Sequence, residues 1–123
     1  MGKRILVVDD AIISRAMLKK ILNEAGHEVI GEAHNGAEAI ARYKELQPDI
    51  VTMDITMPKM NGIEALREIR KFDSGAVVIM CTAMGQKYLV LEAMEAGATN
   101  FVVKPYERDV VLGAINNIVL PSK

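Results

Sequence analysis

The chain has 123 residues, half of them hydrophobic and a quarter charged, with a formal net charge of −1. That length supports one domain with a proper core, and the scattered Lys and Arg leave no electrostatic footprint for nucleic acid or an anionic membrane. Cys81 is the single cysteine, so an internal disulfide is excluded, and the absence of any long apolar span or signal-like leader makes a cytoplasmic location the expectation.

In chain order, Arg4-Ile5-Leu6-Val7-Val8 is an apolar, β-rich run that closes on Asp9-Asp10. From Ile13, apolar residues recur at Met17, Leu18, Ile21, Leu22 and Ala25, a helical stripe that Gly26 stops. Residues 28–33 are weaker and more polar, which suits an edge strand. Asn35-Gly36 turns into a second helix carrying Ala37, Ala39, Ile40, Tyr43 and Leu46, ended by Pro48. Ile50 to Met53 form a third strand that gives out at Asp54.

Beyond the Asn61-Gly62 turn, Ile63, Ala65, Leu66 and Ile69 mark a third helix up to about Lys71. Ser74-Gly75 leads into Ala76–Cys81, the most continuous apolar run, which ends on Thr82. Leu89, Val90, Ala93, Met94 and Ala96 line a fourth helix stopped at Gly97. A short strand over residues 99–103 ends on Lys104-Pro105, and Val110, Val111, Ala114, Ile115 and Ile118 line a last helix. Five strand–helix units in alternation argue for an α/β fold, a parallel sheet with helices on both faces.

Four strands end on polar residues: Asp9-Asp10, Asp54, Thr82 and Lys104. In an open parallel sheet these ends share one rim, where ligands bind. Taken singly, each has an ordinary explanation. Asp9 or Asp10 could cap the first helix, Asp54 could make an Asx turn, Thr82 could cap the fourth helix, and Lys104 could be a solvated charge. Taken together, three carboxylates call for a cation. Oxygen-only donors with no His or Cys point to a hard ion such as Mg2+.

The motifs Val7-Val8-Asp9-Asp10, Met53-Asp54-Ile55-Thr56-Met57-Pro58, Asn61-Gly62, Thr82-Ala83-Met84-Gly85-Gln86 and Val103-Lys104-Pro105 resemble those of the receiver domain of two-component response regulators. Within that family the chain is most similar to the single-domain CheY-type chemotaxis regulators. The resemblance runs from the first strand to the last helix and implies one receiver domain over residues 1–123, with no effector domain. It implies a flavodoxin-like, doubly wound sheet in the order 2-1-3-4-5, an order of which receiver proteins are themselves a known instance. The hydrophobicity ranking agrees, with residues 28–33 at an edge.

The same resemblance assigns roles. Asp54 would be the phosphoacceptor, charged by a phosphohistidine on a sensor histidine kinase. Asp10, Asp54 and the backbone carbonyl of Thr56 would hold Mg2+ (Mn2+ as a substitute), with Asp9 acting through water. Lys104 would pair with a phosphoryl oxygen, Thr82 would hydrogen-bond another, and Phe101 would rotate inward as the switch. The output face would draw on Lys87, Tyr88, Glu92, Glu95, Phe101 and Tyr106, and the Lys104–Pro105 peptide would be cis. Partners implied are the kinase, a flagellar motor switch protein or another protein client, and a phosphatase, with no nucleic acid or membrane; a monomer is expected.

By the same resemblance, Thr56 and Met84 would occupy positions that tune the lifetime of the phosphorylated state, and neither carries an amide or acid. The first helix begins Ile12-Ile13-Ser14-Arg15, unlike the usual chemotaxis pattern. A phosphorelay shuttle or non-chemotactic regulator is therefore the alternative. A haloacid-dehalogenase-type phosphatase would want an acid at Thr56, and a flavodoxin-like carrier would want a Gly- and hydroxyl-rich loop at Asp9-Asp10. A degenerate receiver that only binds partners would not need Asp10, Asp54, Thr82 and Lys104 together. Self-modification rather than conventional enzymatic turnover is the expectation.

Overall fold

The structure, a computed structural model, describes residues 2–118 and Leu120. Its elements are β1 (Arg4–Val8), α1 (Ile12–Glu24), β2 (Glu28–Ala33), α2 (Gly36–Leu46), β3 (Ile50–Asp54), α3 (Gly62–Phe72), β4 (Val78–Ala83), α4 (Lys87–Glu95), β5 (Asn100–Lys104) and α5 (Arg108–Asn116). The strands form one parallel sheet in the order β2-β1-β3-β4-β5. The doubly wound order and the edge position of residues 28–33 are as expected.

Strand alternation divides the core in two. Leu6, Val8, Val51, Met53, Val78 and Met80 face α2, α3 and α4, packing on Ala39, Tyr43, Ile63, Leu66, Ile69 and Ala93. Ile5, Val7, Ile50, Ile79, Cys81 and Val102 face α1 and α5, packing on Leu18, Leu22, Val111 and Ile115. β1 and β3 are covered on both faces, which is why their sequences read as continuous apolar runs rather than alternating ones.

Local chemistry sets where the helices begin. Asn61 Oδ1 accepts from the Glu64 N–H at 2.9 Å while Glu64 Oε1 accepts from the Asn61 N–H at 3.2 Å, a reciprocal cap for α3. Asn35 Oδ1 accepts from the Glu38 N–H at 2.8 Å and starts α2 in the same manner. α2 ends through Gln47 in a left-handed conformation just before Pro48.

Several boundaries differ from the sequence reading. The Ser74-Gly75 turn reaches further than its two residues suggest, because the Ala76 N–H bonds back to the Asp73 carbonyl at 3.1 Å. β4 therefore starts at Val78, later than the apolar run, and continues one residue past Thr82 to Ala83. The apolar stripe of α1 also overstates its buried face: Ile13 is 75% exposed and Met17 is exposed, while Leu18 and Leu22 enter the core. α5 ends at Asn116, and Ile118 still packs on the core beyond it.

Candidate functional site

The register of the sheet sorts the rim residues by face. Asp54 is opposite Cys81, and Lys104 is opposite Ala83, two residues after Val102, which sits opposite Cys81. Alternation places Asp54, Cys81 and Lys104 on the α1/α5 side. Thr82 is opposite Val103, and Phe101 opposite Met80, so Thr82, Val103 and Phe101 share the α4 side. The expected site residues thus form an acid–lysine cluster on one face and a hydroxyl–aromatic pair on the other, meeting at the rim.

Asp9, Asp10 and Asp54 each offer a carboxylate oxygen within 4.8 Å of the others. Asp9 is 2% exposed and Asp54 7%, whereas Asp10 is open to solvent. The Lys104 ammonium sits 2.7 Å from Asp9 Oδ2 and 3.5 Å from Asp54 Oδ2. Asp9 thus meets the lysine directly and holds it more closely than Asp54 does. Asp9 Oδ1 also accepts from the Ala11 N–H at 2.9 Å. Ala11 is the N-terminal flanking residue of α1, with no side-chain cap, so neither acid caps the helix in the ordinary way.

Electrostatics favour a cation. Three carboxylates against one ammonium leave two negative charges uncompensated. Burial lifts the Asp54 carboxyl from 3.8 to about 6; Lys104 opposes this, and the charges of Asp9 and Asp10 add to it. Burial alone would lower the Lys104 ammonium, but its hydrogen bond to Asp9 and the nearby carboxylates hold it above the ordinary lysine range. Exposed oxygen donors beside buried ones, with room for solvent at Asp10, fit the donor chemistry of Mg2+. Thr56, two residues beyond Asp54, is exposed in the loop to α3.

Other expectations divide. The Lys104–Pro105 peptide is cis, as the resemblance implied. Lys87, Tyr88, Glu92 and Glu95 are exposed along α4, with Glu92 3.4 Å from Arg67. Phe101 is 40% exposed, turned outward. Tyr106 is half-buried against the core that contains Cys81, and burial raises its phenol above the ordinary range. Cys81 itself is fully buried and its thiol is pushed up to about 12, which makes it inert despite facing Asp54.

Two contributors escaped the sequence reading. Arg15 Nη1 donates to the Asp9 carbonyl at 2.6 Å while its Nε meets Glu32 at 3.0 Å, bracing the acid pair from α1. The Thr82 hydroxyl donates to Gln86 Oε1 at 3.0 Å. The nearest sequence signal was position alone, since Arg15 falls in the first turn of a helix that follows two acids.

Comparison with known proteins identifies the family. The response regulator receiver domain matches residues 5–116. "Chemotaxis protein CheY" of Thermotoga maritima is 58% identical, the match covering 96% of this chain and 98% of the relative. Its Bacillus subtilis namesake is 57% identical over 94% and 97% of the two chains. A solved structure described as the CheX-CheY-BeF3-Mg2+ complex from Borrelia burgdorferi superimposes with a TM-score of 0.87 at 42% identity, covering 91% of this chain and 85% of that one. The chain belongs to the response regulator receiver domain family.

Proposed function

We propose that this chain is a chemotaxis response regulator that takes a phosphoryl group from the phosphohistidine of a sensor kinase onto Asp54. The observation that carries this reading is the gathering of Asp9, Asp10, Asp54 and Lys104, from the ends of three different strands, within one cluster. Asp10, Asp54 and the carbonyl of Thr56 would hold Mg2+ (or Mn2+), with Asp9 beside them. When bound, the ion neutralises charge on the transferred oxygens.

In the transfer, a carboxylate oxygen of Asp54 forms a P–O bond as the N–P bond of the phosphoimidazole breaks and its electron pair leaves with the imidazole. Lys104 shifts from its shared position between Asp9 and Asp54 to a phosphoryl oxygen. Thr82 donates a hydrogen bond from its hydroxyl to another. Phe101 then turns into the apolar cleft of about 420 Å3 that it lines with Thr82, Met84, Val90 and Val103. The face bearing Lys87, Tyr88, Glu92 and Glu95 changes shape with it, for a client such as a flagellar motor switch protein. A local charge event thereby biases a two-state surface.

The relatives named for chemotaxis support the pathway, and the Borrelia complex supports a phosphoryl mimic with Mg2+ in this kind of site. No described helix is long and apolar enough to cross a membrane, in keeping with work in the cytoplasm. A separate phosphatase would return the protein to its resting state, and the chain modifies itself rather than turning over a substrate as a conventional enzyme. Incubation with acetyl phosphate and Mg2+ should add one phosphoryl group, detected by intact mass, while a chelator or Asp54→Asn should abolish it. Labelling that survives Asp54→Asn would overturn the assignment.

A further inference from the structure

Thr82 is 2% exposed, and its hydroxyl is engaged away from the acid cluster. Oγ1 donates to Gln86 Oε1 at 3.0 Å and lies 3.3 Å from the Ala83 carbonyl. Gln86 is the residue that opens α4, yet its side chain caps nothing there; it reaches back to β4. Gly85, at φ +85°, makes the turn that permits this, and a Cβ there would meet nothing within 4 Å, so backbone conformation rather than space calls for glycine. Thr82, Gln86 and the first α4 residue, Lys87, all border the cleft that Phe101 and Val103 line on its far side.

A threonine hydroxyl carries one proton. It cannot donate to Gln86 and to a phosphoryl oxygen at once. We propose that Gln86 is a positioning latch: it holds the Thr82 hydroxyl away from Asp54 in the unmodified protein, and its release couples phosphoryl occupancy to the start of α4. The inference rests on the phosphoacceptor reading above. Its energetic logic is an exchange of bonds. A neutral hydroxyl–amide bond is given up for one to a charged phosphoryl oxygen, which is about twice as strong. Without the phosphoryl group the exchange is unfavourable and the latch stays closed. With it, the Gln86 side chain is freed and the first turn of α4 loses its tie to β4.

The test is binding of beryllofluoride, with Mg2+ present, to the purified protein, read by calorimetric titration and 19F NMR. Gln86→Met keeps the length of the side chain but removes the acceptor. It should bind beryllofluoride about fivefold more tightly, the equivalent of one neutral hydrogen bond no longer to be broken. Gln86→Ser, which puts a preferred capping residue at the start of α4 but cannot reach Thr82, should show the same gain. Amides 87–90 should exchange faster in Gln86→Met without beryllofluoride, as they do in the wild type with it. In a Thr82→Val background, neither Gln86 substitution should change affinity. A purely structural Gln86 would alter the unfolding midpoint and leave beryllofluoride affinity alone. Normal wild-type binding with equal affinity in Gln86→Met, or a gain that persists in Thr82→Val, overturns the latch alone. Absence of wild-type binding overturns the phosphoacceptor reading and the latch with it.

Discussion

At Asp54 two effects oppose each other: burial favours the neutral acid and the Lys104 ammonium favours the carboxylate, and burial is the larger. The 3.5 Å ion pair with Lys104 is weakened because that ammonium lies closer to Asp9. The folded protein therefore binds the Asp54 proton more tightly than the unfolded chain does. Stability contributed by this residue falls as pH rises from about 3.8 to about 6, and the penalty is complete above that. Asp54→Asn keeps the side-chain size and removes the charge. In metal-free buffer it should be more stable than the wild type at pH 7.5, by about 2–3 kcal/mol at most, with the gap closing as the pH approaches 4. Urea unfolding with a chelator present, repeated across that range, measures this. A gap independent of pH would mean that Asp54 is not paying for its burial. The 2.7 Å Lys104–Asp9 pair does not involve Asp54, so the substitution targets one charge.

The junction of β3 and α3 shows how an element depends on a single missing methyl group. The Gly62 N–H donates to the Ile55 carbonyl at 2.8 Å, drawing the start of α3 onto the end of the strand that carries Asp54. A Cβ at Gly62 would stand 2.1 Å from the Asp54 carbonyl oxygen and 3.0 Å from Ile55 Cα, both backbone atoms that cannot rotate away. Gly62→Ala should therefore cost roughly 1–3 kcal/mol by overpacking, and should slow acetyl phosphate labelling at least tenfold, since a small misplacement of a reacting group is expensive. Gly113, within α5, is the control: a Cβ there meets nothing within 4 Å, and Gly113→Ala should stabilise by about 1 kcal/mol. Substitutions of equal effect in urea unfolding would refute the close-approach account. Elements were readable in the sequence wherever their determinants are local, as with the Asn61-Gly62 turn before α3 or the apolar runs of β1 and β3. The extent of β4 was not, because its last rungs are fixed by Val103 and Lys104 across the sheet. The depth of Tyr106 was not legible for a related reason: its aromatic ring is equally suited to a surface or a core, and only packing near Cys81 decides. The Thr82–Gln86 and Arg15–Asp9 bonds carry no periodicity that a sequence could display.

Across the whole molecule, the site exists only because β1, β3 and β5 end at the same rim; Lys104 reaches Asp9 over 95 positions of sequence. The spatial grouping of the strand-end acids was legible in outline from the alternation of elements, whereas the closeness of Lys104 to Asp9 needed the folded geometry. An ion held by Asp10 and Asp54, with Asp9 beside them, would have no comparable site in the unfolded chain, where residues 10 and 54 are far apart. Mg2+ should then stabilise the native state by RT ln(1 + [Mg2+]/Kd), about 1.4 kcal/mol for each tenfold rise in concentration above Kd. For a domain of this size that corresponds to roughly 4–8 °C in Tm. Asp10 is the informative residue to remove, because it is exposed and contributes little to the core. Asp10→Asn should unfold near the wild-type temperature in chelator yet gain far less from added Mg2+. Scanning calorimetry at several Mg2+ concentrations, with NaCl at matched ionic strength as the reference, separates ion binding from the general screening of three crowded carboxylates. If NaCl raises Tm as much as Mg2+ does, or if Asp10→Asn responds like the wild type, the acid cluster is a repulsive patch relieved by salt and not a metal site.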